Sequence, residues 1–126
     1  MTAATGSERV RLFVYGTLMR GERAHDRLRA AQYLGEFRTT PGYRLLDLVD
    51  YPGLVRGGDD AVEGELYAVD TRTLAALDAF EDVPRGYTRE EVELVGAGLA
   101  FVYLLTPALA EGARPLGTWS WRRRPR

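Results

Sequence analysis

The sequence contains no cysteine, and that one absence removes disulfides, thiolate metal sites and a cysteine nucleophile together. Its serines are only Ser7 and Ser120, near the two ends, which leaves a Ser-His-Asp triad without a nucleophile. Lysine is missing as well: all 17 basic residues are arginine, which excludes Schiff-base chemistry. His25 is the one histidine and cannot build a multi-histidine metal site. Chemistry in this chain must therefore rest on carboxylates, Thr and Tyr hydroxyls, arginines and backbone groups. No run approaches the roughly eighteen apolar residues of a membrane span. Residues 1–8 lack the basic start and apolar centre of a signal peptide, and the chain reads as cytoplasmic.

What is present suits one domain with a sizeable core. The chain has 126 residues, 45% of them hydrophobic and 28% charged, with a net charge of −1. That balance excludes a disordered chain and an overall basic nucleic-acid binder. A single domain over 1–126 is expected, with residues 1–8 and 115–126 as flexible tails.

The most informative stretch is Arg9-Val10-Arg11-Leu12-Phe13-Val14-Tyr15-Gly16-Thr17-Leu18. Val10, Leu12 and Val14 alternate with period two and Tyr15-Gly16 breaks the run, so a strand stops abruptly in a tight loop. A glycine there permits positive φ and close approach, letting backbone N–H groups turn outward onto a carboxylate or an oxyanion. Plain strand punctuation is the alternative role for Gly16. A short helix is expected over 23–31, with His25 supporting the loop rather than acting as a catalyst. Residues 33–39 and 43–48 read as strands around a Pro41-Gly42 turn. Pro52-Gly53 reads as a turn between apolar pieces, and Gly57-Gly58-Asp59-Asp60 as a hairpin signal returning the chain along Val62 to Val69. On that strand Glu63, Glu65, Tyr67 and Val69 share a face. With no third ligand type nearby, the two acids suit a solvated or hydrogen-bonding face better than a metal pair.

From Thr71 the periodicity turns helical, with Asp70 or Thr71 as cap, a helix over 72–82, and Val83-Pro84 as its end. Leu74, Leu77 and Phe80 form one stripe; at about 100° per residue Glu81 falls about 40° from its centre, whereas Asp78 lies about 100° away. Glu81 therefore looks toward the core. A carboxyl on an apolar face, near the negative end of the helix dipole, is more basic than the ~4.3 of a solvated Glu, which prepares a general base. The same spacing also allows an i,i+4 ion pair with Arg85. Beyond the proline, residues 87–95 and 99–105 form an antiparallel hairpin around Gly96-Ala97-Gly98, and 107–114 a loop or short turn. Two tryptophans then precede an arginine run; a solvated end with Trp119 packed on the body is the reading adopted over nucleic-acid contact.

Together these pieces resemble the γ-glutamylcyclotransferase-like family. The likeness rests on Val14-Tyr15-Gly16-Thr17-Leu18 followed by Arg20-Gly21, on Tyr51-Pro52-Gly53-Leu54-Val55, and on Val62-Glu63-Gly64-Glu65-Leu66-Tyr67-Ala68-Val69. It continues through Leu77-Asp78-Ala79-Phe80-Glu81 and Pro84-Arg85-Gly86-Tyr87-Thr88-Arg89, so it spans most of 11–105. The resemblance implies an α+β fold: a small mixed barrel-like sheet of about six strands with one main helix across an opening. It also implies release of 5-oxoproline from a γ-glutamyl amine or amino compound, without cofactor or metal. In that chemistry Glu81 is the general acid/base. Tyr15, Gly16, Thr17 and Leu18 hold the substrate's α-carboxylate or developing oxyanion, and Tyr87 lines the pocket or packs beneath it. The implied partner is a small γ-glutamyl molecule, with no nucleic acid and no membrane, and the chain is a monomer or homodimer.

Two other functions compete. A non-catalytic module of the same fold would keep the loop to bind a small anion or metabolite and show binding without turnover. A nucleic-acid accessory protein would use the arginine-rich end and bind in a salt-sensitive way.

Overall fold

The computed structural model describes residues 8–125, so the tail expected over 1–8 lies outside them but for Glu8. Strand β1 (Arg9–Val14) runs into the Tyr15 loop and a single 3-10 turn at His25–Leu28. This turn replaces the longer helix expected over 23–31: it buries only Leu28, too short an apolar stripe to hold a full helix. The chain continues through β2 (Gln32–Arg38), β3 (Tyr43–Asp47), β4 (Pro52–Arg56), β5 (Glu63–Asp70) and helix α1 (Thr71–Phe80). It ends with β6 (Tyr87–Leu94), β7 (Gly98–Leu105), the one-turn helix α2 (Pro107–Ala110) and the two-residue β8 (Arg114–Pro115).

The eight strands form one mixed sheet in the order β2-β5-β1-β7-β4-β3-β8, with β6 on the other edge of β7. The hairpin of β6 and β7 runs in antiparallel register from Tyr87 opposite Leu105 to Leu94 opposite Gly98. The remaining edge of β7 is shared by two parallel neighbours, β1 at Leu12 opposite Phe101 and β4 at Leu54 opposite Leu104. At the far side Thr39 meets Leu94 in an isolated bridge, flanked by Thr40 N–H to Glu93 O at 3.0 Å and Val95 N–H to Arg38 O at 2.8 Å. The sheet thus curls back on itself, as expected of a small α+β barrel-like fold. Helix α1, which follows β5, is capped by Asp70, whose Oδ1 accepts the Thr73 N–H at 2.7 Å.

Three expectations are corrected. Pro52-Gly53 is no turn but the start of β4. Proline fits the first residue of a strand, and a Cβ at Gly53 would stand 2.5 Å from Leu105 Cδ2, so glycine is what lets β4 approach β7. The turn lies just before, where Val49 has φ 76° and Leu48 N–H reaches Tyr51 O at 3.0 Å. Gly57 to Asp60 does not fold β5 onto β4, since β5 inserts between β1 and β2. Gly58 instead presses on the Tyr43 backbone, and Asp60 bridges Tyr43. Of the two roles left open for the β5 face carrying Glu65 and Tyr67, the hydrogen-bonding one is found: both side chains are buried, and the Tyr67 hydroxyl donates to Glu65 Oε1 at 2.9 Å.

The last correction concerns residues 115–125, which pack on the body instead of trailing as a tail. Trp121 is 3% exposed and Trp119 44%, the reverse of the expected packing. Trp121 Nε1 finds an acceptor in Glu22 Oε1 at 3.2 Å, which lets the indole bury with its polar edge satisfied.

Candidate active site

The site lies where β1 and β4 part company on the edge of β7. Neither strand fills the gap there, and the Tyr15 side chain does. Its hydroxyl donates to the Tyr103 carbonyl oxygen at 2.6 Å and accepts the Leu54 N–H at 3.1 Å, linking β7 to β4 just past the end of β1. Burial, then the neighbouring Tyr87 and Glu81, push this phenol well above its ordinary range, so it stays a neutral strut. Gly16 follows. Its φ is not left-handed, contrary to the expected use of glycine; what it supplies is room, because a Cβ would stand 2.7 Å from Pro52 Cγ. The loop is tied from below by Met19 N–H to Gly16 O at 3.1 Å and Ala24 N–H to Thr17 O at 2.9 Å. His25 Nδ1 lies 2.9 Å from Leu18 O, the supporting role expected of it; a carbonyl only accepts, so this nitrogen carries the proton. Among the described residues none accepts a hydrogen bond from the N–H groups of Gly16, Thr17 or Leu18.

Opposite stands Glu81, the C-cap of α1, its N–H bonded to Leu77 O at 2.9 Å. Lying four residues after Leu77 and seven after Leu74, it shares the face those two bury against the sheet. Phe80, the expected third member of the stripe, is instead 39% exposed beneath the Arg27 guanidinium, 3.8 Å from the ring centroid. The helix is fixed by a network on its flank. Asp78 receives a two-pronged bond from Arg89, at 2.9 and 3.1 Å, and the Tyr103 hydroxyl at 2.8 Å. The alternative pairing of Glu81 with Arg85 is not made, because Arg85 binds Asp82 at 3.0 Å. Burial raises the Glu81 carboxyl to about 7, against the opposing pull of Arg27.

Between loop and helix is a cavity of about 390 Å³, within the size range of small-molecule sites. Tyr15, Gly16, Thr17, Leu18, Glu81 and Tyr87, all the candidate residues of the sequence, line it together. The Tyr87 hydroxyl donates to Pro52 O at 2.9 Å, and its ring closes one wall. Arg23, Tyr51, Pro52, Phe80 and Leu109 also line the cavity. Phe80 is marked by helical spacing only as a core residue, and no spacing rule marks the other four, which arrive through the tertiary fold, although Tyr51-Pro52 belongs to the resembling segments. Among the described residues no group of three or more Asp, Glu or His side chains is arranged to hold a metal ion.

The family model described as gamma-glutamyl cyclotransferase, AIG2-like, matches residues 12–123. The chain belongs to this family. Among its gamma-glutamyl cyclotransferase relatives, a Vibrio cholerae protein provisionally so named is 50% identical over 93 residues, covering 74% of this chain and 79% of its own. The human gamma-glutamylaminecyclotransferase is 41% identical over 87 residues, 62% of this chain and 57% of that protein. Among solved structures, a uropathogenic Escherichia coli-specific protein superposes with a TM-score of 0.81 at 29% identity, covering 92% of this chain and 94% of the other. An AIG2-like protein from Mus musculus superposes with a TM-score of 0.71 at 27% identity, over 94% and 85%. The curled mixed sheet with one main helix is thus the gamma-glutamyl cyclotransferase architecture. No helix among the described residues is long and apolar enough to cross a membrane.

Proposed function

We propose that this protein releases 5-oxoproline from a γ-glutamyl amine or amino compound. One observation carries the reading: a carboxyl raised to about 7 faces, across one cavity, a loop whose N–H groups have no acceptor among the described residues. The loop N–H groups take the substrate's α-carboxylate, a geometry suited to anions. Glu81, as carboxylate, accepts the proton of the α-ammonium. The freed amine attacks the γ-carbonyl carbon, forming the ring C–N bond as the bond to the leaving nitrogen breaks. Glu81 then returns the proton to that nitrogen and takes up the second proton, which the ring nitrogen sheds as it becomes a lactam N–H. Passing this one too to the departing amine, which leaves as an ammonium, restores the carboxylate, so no proton is gained or lost overall. Holding the glutamyl chain curled makes the attack intramolecular, an effect worth up to about 7–11 kcal/mol in well-oriented cases. Tyr15, Tyr51 and Tyr87 supply the walls against which it curls.

The test is a panel of γ-glutamyl amines and γ-glutamyl amino acids assayed for 5-oxoproline, with Glu81→Gln beside the parent. Turnover that falls about 10²–10⁴-fold in the variant is expected, the usual contribution of a general base. Thermal stabilisation by 5-oxoproline with no turnover of any substrate would leave a binding module instead.

A further inference from the structure

Glu65 is the one charged side chain among the described residues that is fully buried, with 0% exposure, and the chemistry proposed above makes no use of it. Its oxygens are fully engaged. Oε1 accepts the Arg20 N–H at 2.8 Å and the Tyr67 hydroxyl at 2.9 Å. Oε2 accepts Arg122 Nη2 at 3.0 Å and Arg20 Nε at 3.4 Å. Burial works against the charge, but the Arg20 N–H, Arg122 and Tyr67 outweigh it and hold the carboxyl below its ordinary range, a fixed anion at neutral pH. The Arg122 Nη2 group also donates to the Arg20 carbonyl oxygen. The Arg20 backbone is therefore gripped at both polar groups, its N–H from the β5 strand and its C=O from the C-terminal segment. That segment is anchored in turn by buried Trp121 and by Glu63 N–H to Trp119 O at 3.0 Å.

Arg20 closes the loop that lines the cavity and whose N–H groups at Gly16, Thr17 and Leu18 have no acceptor among the described residues, following Leu18 and Met19 directly. We propose that Glu65 and Arg122 are positioning residues, a clamp on the Arg20 backbone that keeps the N–H groups of Gly16 to Leu18 arranged for a substrate carboxylate. The inference rests on the γ-glutamyl reading of the site. Releasing the clamp leaves Glu81 and its cavity wall in place but lets the loop wander, so ordering it becomes a cost of binding. Arginine suits the task because the two hydrogens of its planar Nη2 group are fixed in direction and serve Glu65 and the Arg20 carbonyl together, whereas the lysine ammonium is a freely rotating point charge.

Arg122→Ala and Arg122→Lys are compared with the parent in steady-state kinetics and in amide hydrogen exchange at Met19 and Arg20. Arg122→Ala is expected to raise KM about tenfold with kcat within about threefold, a loss of uniform binding. The inhibition constant of 5-oxoproline, which retains the carboxylate, rises in parallel, and the pH midpoint set by Glu81 stays where it was. Arg122→Lys falls between. Exchange at the Arg20 amide quickens about tenfold in Arg122→Ala. A merely structural role would lower the active fraction, and hence kcat, at constant KM; that result, or unaltered Arg20 exchange in the folded variant, overturns the clamp. Should Arg122→Ala fail to fold, Glu65→Gln, which keeps an acceptor for the Arg20 N–H but drops the charge facing Arg122, carries the same expectations. A parent without turnover sinks the γ-glutamyl reading, and amide exchange then decides the clamp by itself.

Discussion

At the scale of single residues, the role proposed for Glu81 sets activity against stability. Its native value of about 7 lies above the ordinary 4.5. Between those values the folded state binds more protons than the unfolded one, so stability falls as pH rises through that window. Ionising the half-buried carboxyl costs on the order of 2 kcal/mol after allowance for its partial exposure. Glu81→Gln should therefore melt above the parent near pH 8 and show little advantage near pH 5, as followed by thermal denaturation. The parent's kcat/KM should climb with pH to a plateau above about 7; a flat profile from pH 6 to 8 removes Glu81 as the base. Tyr15 offers a second test. Tyr15→Phe strands the Leu54 N–H and the Tyr103 carbonyl, and the buried unpaired groups should cost about 1–3 kcal/mol in a denaturant titration. The orientation of Glu81 was legible because helical periodicity assigns every side chain a bearing. The exposure of Phe80 was not, since the covering Arg27 arrives from a distant turn that leaves no local pattern. For Gly16 the sequence left ligand approach through positive φ and plain strand punctuation both open, and neither names the neighbour that decides it, the Pro52 ring, which remote folding brings within 2.7 Å of where a Cβ would stand.

At the scale of elements, the β6–β7 hairpin and α1 follow their sequence signals closely, for each is built from local contacts and local caps. Strand β4 does not: Pro-Gly is ordinarily turn chemistry, and only the pressure of Leu105 on Gly53 shows why it opens a strand instead. Gly53→Ala should push β4 from β7 and destabilise the protein by about 1–3 kcal/mol, the range for overpacking, measured by chemical denaturation. The C-terminal segment misled for another reason. A run of arginines reads as solvated when their partners are unknown, and here those partners are Glu65, Glu63 and Glu22, supplied by β5 and by the loop after β1.

At the scale of the whole molecule, the cavity belongs to no single element. The shared edge of β7 brings β1 and β4 side by side without joining them, and the curl of the sheet through Thr39 and Leu94 faces α1 toward the opening. Thr39 is fully buried, and its hydroxyl accepts the Val62 N–H at 2.9 Å, so the seam is closed by side chain as well as backbone. Sequence pattern gives the list of strands well enough to suggest such a fold. It does not give their order, because pairing between remote segments leaves no trace in the spacing of residues near one another.

That arrangement bears on how the chain reaches its working form. Leu12 must find Phe101, and Leu54 must find Leu104, before the gap Tyr15 bridges exists at all. Such distant encounters are slow compared with forming a helix or a hairpin. Ligand recognition should consequently be among the last properties to return on refolding: stopped-flow capture of 5-oxoproline will trail or coincide with the fluorescence change of Trp121, and never lead it.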